Sequence, residues 1–377
     1  MKHNIFKYFR LVLVASVLTG CNLADRGSRF VFGNGSSLIS RIALTSTATH
    51  SSLDDLDEAL DSPPIEDYRE TISQVKEKVE IINSITPHLS NYEIYCCYTD
   101  PHFYDSTCDY SFDEENIISK LSFLRNVYDL SKSQFVVCCG DVLCSGDTRS
   151  QACFKLSSYM YYTNAFFDKH YFVVGNHDTN YQGNFYTDNP TDYSTCILSQ
   201  DTINSILFNG LKSYYYFDTP TTRHYCFDSG LDRTAKSVNS YQQEQILWFA
   251  NTLLNDTKEH KTVFIHITNI EWQGPLSEMM KRLGAIINAF NDKKTIVVQN
   301  DVFDYSSSNG KIDFVQSGHI HADSMFEYEG IQIITTNKFY ELGTESQPTF
   351  DIVLADYDNL KIYLFRIGVG EDRIITI

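Results

Sequence analysis

Residues 171–178 read YFVVGNHD and residues 313–321 read DFVQSGHIH. Each opens as a short apolar run and closes on a glycine followed by imidazole and amide or carboxylate groups. Such a run is a buried strand, and the glycine ends it in a turn. Both stretches therefore deliver polar side chains of metal-ligand type at the exit of a strand.

Three further runs share this build. EIYCCYTD (93–100) leads into Asp100-Pro101-His102, QFVVCCGD (134–141) closes on Gly140-Asp141, and TVFIHI (262–267) carries His266. Helical patterns over 115–131, 151–168, 241–258 and 276–292 fall between them. Buried strands alternating with helices predict a layered α/β fold. Residues 213–229 and 325–366 contain strand-like runs joined by turns, which predict antiparallel additions.

In open α/β sheets the C-terminal strand ends face one crevice. The fold can thus unite residues that lie more than 200 positions apart in sequence. Taken singly, each fragment is ordinary: Asp-x-His is common, Gly-Asp marks a turn, Asn-His-Asp can cap a helix, and His266 could be a structural imidazole. Together the five strand ends carry His102, His177, His266, His319 and His321 of the chain's 11 histidines. That concentration predicts a metal site. Carboxylate, amide and imidazole donors suit Mn, Fe or Zn better than Ca, and no thiolate is among them.

The ordered blocks D-x-H (Asp100, His102), GD (Asp141), GNH-D/E (Asn176, His177, Asp178), a lone His (His266) and G-H-x-H (His319, His321) resemble those of the calcineurin-like metallophosphoesterases. The resemblance covers roughly residues 92–368 and implies a β-sandwich core flanked by helices. It implies two divalent metal ions (Mn, Fe or Zn). Asp100, His102, Asp141 and His321 would hold the first. Asp141, Asn176, His266 and His319 would hold the second, with Asp141 bridging. A hydroxide activated between the ions would hydrolyse a phosphomonoester or phosphodiester. His177 would face the leaving-group oxygen as the acid, oriented by Asp178. A nucleotide or sugar-nucleotide pyrophosphatase on the same site is the alternative; a non-catalytic surface-binding protein fits an intact ligand set less well. The protein Ser/Thr phosphatase branch carries an Asp-Arg pair three and four positions after its GD aspartate. Here those positions are Cys144 and Ser145, which argues against phosphoprotein specificity, and Arg149 nearby reads as a surface residue.

Composition sets the outer bounds. With 42% hydrophobic and 21% charged residues, the chain is globular rather than disordered, and 8 Pro and 18 Gly exclude a collagen-like chain. A formal charge of −18 argues against a nucleic-acid partner, which needs a basic face. A small phosphate ester is a different matter, because two divalent ions would outweigh Asp100 and Asp141 locally while distant surface charge is screened.

Lys2, Lys7 and Arg10 precede the apolar run Leu11–Leu18, and Leu18-Thr19-Gly20-Cys21 follows. This order describes a secretory signal over residues 1–20, and its end resembles the bacterial lipobox. The expectation is an exported lipoprotein, acylated at Cys21 and facing the periplasm or cell exterior, with the membrane as a partner through its lipid anchor alone. A flexible tether and an N-terminal helix near 65–85 would fill residues 21–91, and the metallophosphoesterase domain residues 92–377. The segment 182–240, including Tyr186, and the loop around Trp272 are expected to shape substrate access. Of the ten cysteines, Cys21 would be the lipid site, which leaves nine to be placed. Cys97 and Cys138, each three residues before an aspartate ligand, are expected level on neighbouring strands, as buried thiols or as a cross-strand disulfide.

Overall fold

The computed structural model describes residues 69–102, 114–145, 148–180, 196–230, 240–271, 273–339 and 348–377. The signal segment, Cys21, the tether, Tyr186 and Trp272 lie outside the described residues.

The first described element, α1 (Arg69–Ile85), buries Ile72, Val75, Val79 and Ile82. Their spacing of three and four residues makes one apolar stripe. Each such side chain contributes about 1.5–3 kcal/mol on burial. The stripe lies against one of two large sheets.

That first sheet collects β1 (Tyr92–Tyr98), β2 (Phe135–Cys138), β3 (His170–Phe172), β12 (Phe350–Asp356), β13 (Lys361–Ile367) and β14 (Arg373–Thr376), in the order β14-β13-β12-β1-β2-β3. β1, β2 and β3 are parallel, whereas β12, β13 and β14 extend the sheet antiparallel from β1. The helices α2 (Glu114–Leu130), α3 (Arg149–Phe166) and α4 (Gln200–Leu207) cover its outer face with α1. Thr148 starts α3 with a reciprocal capping box to Gln151.

The second sheet collects β4 (Tyr215–Asp218), β5 (Thr222–Cys226), β6 (His260–Phe264), β9 (Lys311–Ser317), β10 (Ser324–Tyr328) and β11 (Ile331–Thr335), ordered β10-β11-β9-β6-β5-β4. Its outer face carries α5 (Ser240–Leu254) and α6 (Glu278–Asn291). A separate hairpin pairs β7 (Thr295–Val298) with β8 (Asp301–Asp304). Among the described residues, no helix is long and apolar enough to cross a membrane.

Three apolar layers result. Alternation along β1 sends Ile94, Cys96 and Tyr98 toward the helices and Tyr95 and Cys97 into the space between the sheets. There they meet Phe135, Val137, Phe264 and Phe314. The predicted layered α/β sandwich with flanking helices is the fold observed.

Several local expectations need correction. The five strands stop short of the ligand residues; β3, for instance, ends at Phe172, and His177–Thr179 form a single 3-10 turn. The region 325–366 is only partly antiparallel, since β11 pairs parallel with β9. α4 and the β7–β8 hairpin escaped the sequence reading. Cys97 and Cys138 are not level: Cys97 is opposite Val137, and Cys138 is opposite Tyr98 and points to the helix side. One residue of register moves a side chain to the other face. The thiol near Cys97 is instead Cys139, with sulfurs 3.7 Å apart, and Cys97, Cys138 and Cys139 are free thiols.

Candidate metal centre

Five parallel strands deliver their exits to one end of the sandwich. β1 runs into Asp100 and His102, β2 into Asp141, and β3 into Asn176, His177 and Asp178; from the other sheet β6 delivers His266 and β9 delivers His319 and His321. Backbone pairing continues past the strands themselves. The Asp100 and His102 N–H groups donate to the carbonyls of Gly140 (2.9 Å) and Asp141 (3.1 Å), and Gly318 N–H donates to His266 O (3.1 Å). Across the sheets, His319 N–H donates to Asp100 Oδ2 at 2.9 Å, and Thr99 Oγ1 donates to the same oxygen at 2.7 Å.

The exits bend sharply. Asp100 (φ 50°), His102 (40°), Asp141 (57°), His319 (77°) and His321 (52°) all occupy the left-handed region, which costs roughly 1–3 kcal/mol each for such residues. This turns consecutive side chains off the strand axis and toward one another. Two glycines make the approach possible. A Cβ at Gly318 would fall on Thr99 Oγ1 and lie 2.6 Å from Asp100 Oδ2, and one at Gly175 would lie 2.8 Å from Asp141 Cγ.

The side chains gather in two groups. Ligand atoms of Asp100, His102 and His321 lie within 4.8 Å of one another, as do those of Asp141, His266 and His319. His266 Nε2 joins the groups, 2.8 Å from Asp141 Oδ2 and 3.8 Å from Asp100 Oδ1. Six of the seven residues expected to hold metal are therefore brought to one place; Asn176 is buried and directly precedes His177, whose N–H donates to Asp141 Oδ1.

The donor atoms fit cations. Asp100 Oδ1, Asn176 Oδ1 and His266 Nε2 are buried with no hydrogen-bond partner among the described residues, an arrangement that is costly unless something else satisfies them. His266 Nδ1 donates to Cys139 O at 2.6 Å and His102 Nδ1 to Leu143 O at 2.9 Å. A carbonyl can only accept, so each Nδ1 carries a hydrogen and each neutral ring presents a lone pair at Nε2. His102 Nε2 and His321 Nε2 converge to 3.0 Å.

The carboxylates draw positive charge to the site, whether a proton on an imidazole or a cation that displaces it. Burial pushes the Asp100 carboxyl up, but His266, His102 and His321 reverse this and hold it well below the usual carboxylate range. Asp141 is lowered in the same way, chiefly by His266 and His177 acting against burial. The two aspartates in turn lift His266 to about 9 against its burial. Burial and the neighbouring His266 pull His319 down to about 4.

Asp178 departs from its expected role. Its carboxylate accepts the backbone N–H groups of Asp141 (3.1 Å), Leu143 (3.1 Å) and Gly175 (2.8 Å), so it ties the β2 exit to the β3 exit. Burial and Asp141 raise it to about 7. The contacts at His177 Nδ1 are Ser145 Oγ at 2.9 Å and Cys144 O at 3.2 Å. Ser145 and Thr99 are the site residues that sequence reasoning missed. In the sequence Ser145 marks only a departure from another branch, and Thr99 carries no signal beyond its place before Asp100. Arg149 is half-buried at the start of α3, where it donates to Thr202 Oγ1 at 3.2 Å.

Comparison with known proteins agrees with this geometry. A model of the calcineurin-like phosphoesterase family matches residues 95–323. No curated protein sequence matches the chain. Among solved structures, a purple acid phosphatase from yellow lupin (Lupinus luteus) seeds is similar at 12% identity and a TM-score of 0.50, over 76% of this chain and 54% of that one. A protein described as a 5'-nucleotidase from Staphylococcus aureus is similar at 12% identity and a TM-score of 0.38, over 76% and 54%. A Streptococcus pneumoniae protein described as a phosphoesterase is similar at 10% identity and a TM-score of 0.32, over 76% and 99%. The family match spans more than half of the sequence and includes every motif block gathered at the strand exits. This chain belongs to the calcineurin-like phosphoesterase family, hydrolases of phosphate esters that use divalent metal ions.

Proposed function

We propose that the protein hydrolyses small phosphomonoesters or phosphodiesters at a centre of two divalent cations. The observation that carries this reading is the convergence of six donor side chains from both sheets, with donor atoms of Asp100, Asn176 and His266 buried and lacking a hydrogen-bond partner among the described residues. Asp100, His102 and His321 would hold one cation, and Asn176, His266 and His319 the other, with Asp141 shared. When bound, the cations supply Lewis acidity toward phosphoryl oxygens and lower the pKa of a water. The Leu143 and Cys139 carbonyls hold the His102 and His266 rings in the tautomer that ligates. Asp141 Oδ1 accepts the His177 N–H at 2.8 Å, and this contact supports the reading in which the His177 ring would serve as the acid for the departing oxygen.

The test is a screen of purified protein, loaded with Mn²⁺, Fe²⁺ or Zn²⁺, against p-nitrophenyl phosphate, bis-p-nitrophenyl phosphate and nucleoside diphosphate sugars. Turnover of a monoester or diester is expected. Asp141→Ala is expected to lose both bound metal and turnover. Inactivity with every metal and substrate class would overturn the proposal, and preference for the diphosphate sugars would favour a pyrophosphatase. The same proposal places the enzyme outside the cell membrane on a lipid anchor at Cys21. Cys21→Ser should then release the protein from the membrane fraction.

A further inference from the structure

We propose that Ser145 is the positioning residue for His177, an assignment that rests on the phosphoesterase reading above. Ser145 follows Asp141 by four residues, is buried, and sits in the left-handed region at φ 65°. A serine is strained there, and such strain gathers where surrounding contacts dictate a conformation. Its Oγ is 2.9 Å from His177 Nδ1, and Cys144 O is 3.2 Å from the same nitrogen. Since the carbonyl can only accept, Nδ1 carries the hydrogen and shares it between the two oxygens. The Ser145 hydroxyl hydrogen then points to the carbonyl of His177 itself, 3.4 Å away. The residue is gripped twice: its N–H by Asp141 Oδ1 at 2.8 Å, and its ring by the 144–145 turn. The ring stands edge-on to His102, with centroids 5.2 Å apart.

This tautomer makes Nε2 the nitrogen that exchanges protons with substrate. The ring that reacts carries a second hydrogen, taken up at Nε2 from solvent; as the bond from phosphorus to the leaving oxygen breaks, its electron pair stays on that oxygen, which takes the Nε2 proton and leaves the neutral Nδ1–H ring. Asp178, the carboxylate nearest in sequence, is committed to three backbone amides. A hydroxyl thus does the orienting here, and it adds no negative charge beside the ring.

The experiment compares wild type, Ser145→Ala, Ser145→Thr, His177→Ala and the Ser145→Ala/His177→Ala double variant, each with metal content measured. Phenyl phosphate, a poor leaving group, is set against p-nitrophenyl phosphate, a good one. Ser145→Ala should lower kcat on phenyl phosphate about tenfold or more, with a much smaller loss on p-nitrophenyl phosphate and KM little changed. Ser145→Thr should restore most of the loss, and the double variant should be no slower than His177→Ala alone. Nitrogen-15 spectra of the zinc-loaded protein give a reading independent of turnover. Wild-type His177 should show the single Nδ1–H tautomer and Ser145→Ala a mixture. Equal losses on both substrates, losses that add to those of His177→Ala, or a tautomer indifferent to Ser145 would each overturn the assignment. An inactive wild type with a Ser145-dependent tautomer would instead retire the phosphoesterase reading and leave Ser145 holding the ring.

Discussion

Asp178 illustrates how one residue can serve a site without touching substrate. Three buried amides depend on it, and an orphaned buried donor costs about 1–3 kcal/mol. Asp178→Ala should therefore destabilise the protein by roughly 3 kcal/mol or more in urea unfolding, with metal loss following. Asp178→Asn keeps one acceptor oxygen, enough for two of the three amides, and should lose less stability than Asp178→Ala while retaining most of the turnover. A stable but dead Asp178→Asn enzyme would restore the catalytic role expected from sequence. Gly318→Ala is the complementary case: its Cβ would overlap Thr99 and Asp100, so bound metal should fall while far-UV circular dichroism stays near wild type. At this scale the ligands were legible, because imidazole, amide and carboxylate side chains sit at fixed places after apolar runs. Ser145 and the true duty of Asp178 were not. Both depend on hydrogen-bond directions set by left-handed backbone at Asp141 and Ser145, and no residue pattern announces such a conformation outside glycine.

Elements divide into those held by apolar stripes and those held by register. α1 belongs to the first kind, so Val75→Ala should cost about 1–3 kcal/mol. Lys78→Ala, which breaks a partly exposed 2.8 Å ion pair with Asp372, should cost less than about 1 kcal/mol. Similar losses for the two would mean that α1 is docked by charge. β3 offers a pH test. His170 begins it, against the rings of Tyr98, Phe167 and Phe172, and burial pulls it down to about 3. Unfolded, the ring titrates near the ordinary 6.5, so the unfolded chain takes up the proton first. Stability should therefore fall as pH drops from about 6.5, by up to roughly 1.4 kcal/mol per pH unit. His170→Phe should flatten that slope between pH 6.5 and 5 relative to wild type, since the other groups that contribute there, Asp178 and His319 among them, are common to both proteins. The stripe of α1 was legible because periodicity survives in sequence. Strand ends were not, since YFVVGNHD has no letter marking the end of pairing at Phe172. Nor was the Cys97–Cys139 neighbourhood, which follows from a one-residue register that sequence leaves open.

Across the whole molecule, polar contacts pin the two sheets around an apolar filling. Tyr95 OH donates to Gln316 Oε1 at 3.0 Å, Thr336 Oγ1 to Asp351 Oδ2 at 2.8 Å, and Arg373 Nη1 to Thr335 O at 2.7 Å. The candidate metal centre is a further pin: Asp100, His102, Asp141 and Asn176 come from one sheet and His266, His319 and His321 from the other. Cations that bind there cannot bind the unfolded chain in the same way, because the donors are spread from position 100 to 321. Each cation at one hundred times its dissociation constant should then add about 2.7 kcal/mol of stability, and a chelator should remove it. Wild-type Tm should accordingly fall by several degrees in EDTA and recover on adding back Mn²⁺ or Zn²⁺. Asp141→Ala should start low and stay indifferent to both treatments. Tyr95→Phe separates this effect from general loosening of the sandwich, since it removes an inter-sheet hydrogen bond that involves none of the ligands. It should lower Tm with and without metal by the same amount and leave the EDTA response intact. If EDTA left wild-type Tm unmoved, the centre would not be clamping the sheets, and the unpartnered atoms of Asp100, Asn176 and His266 would need another explanation.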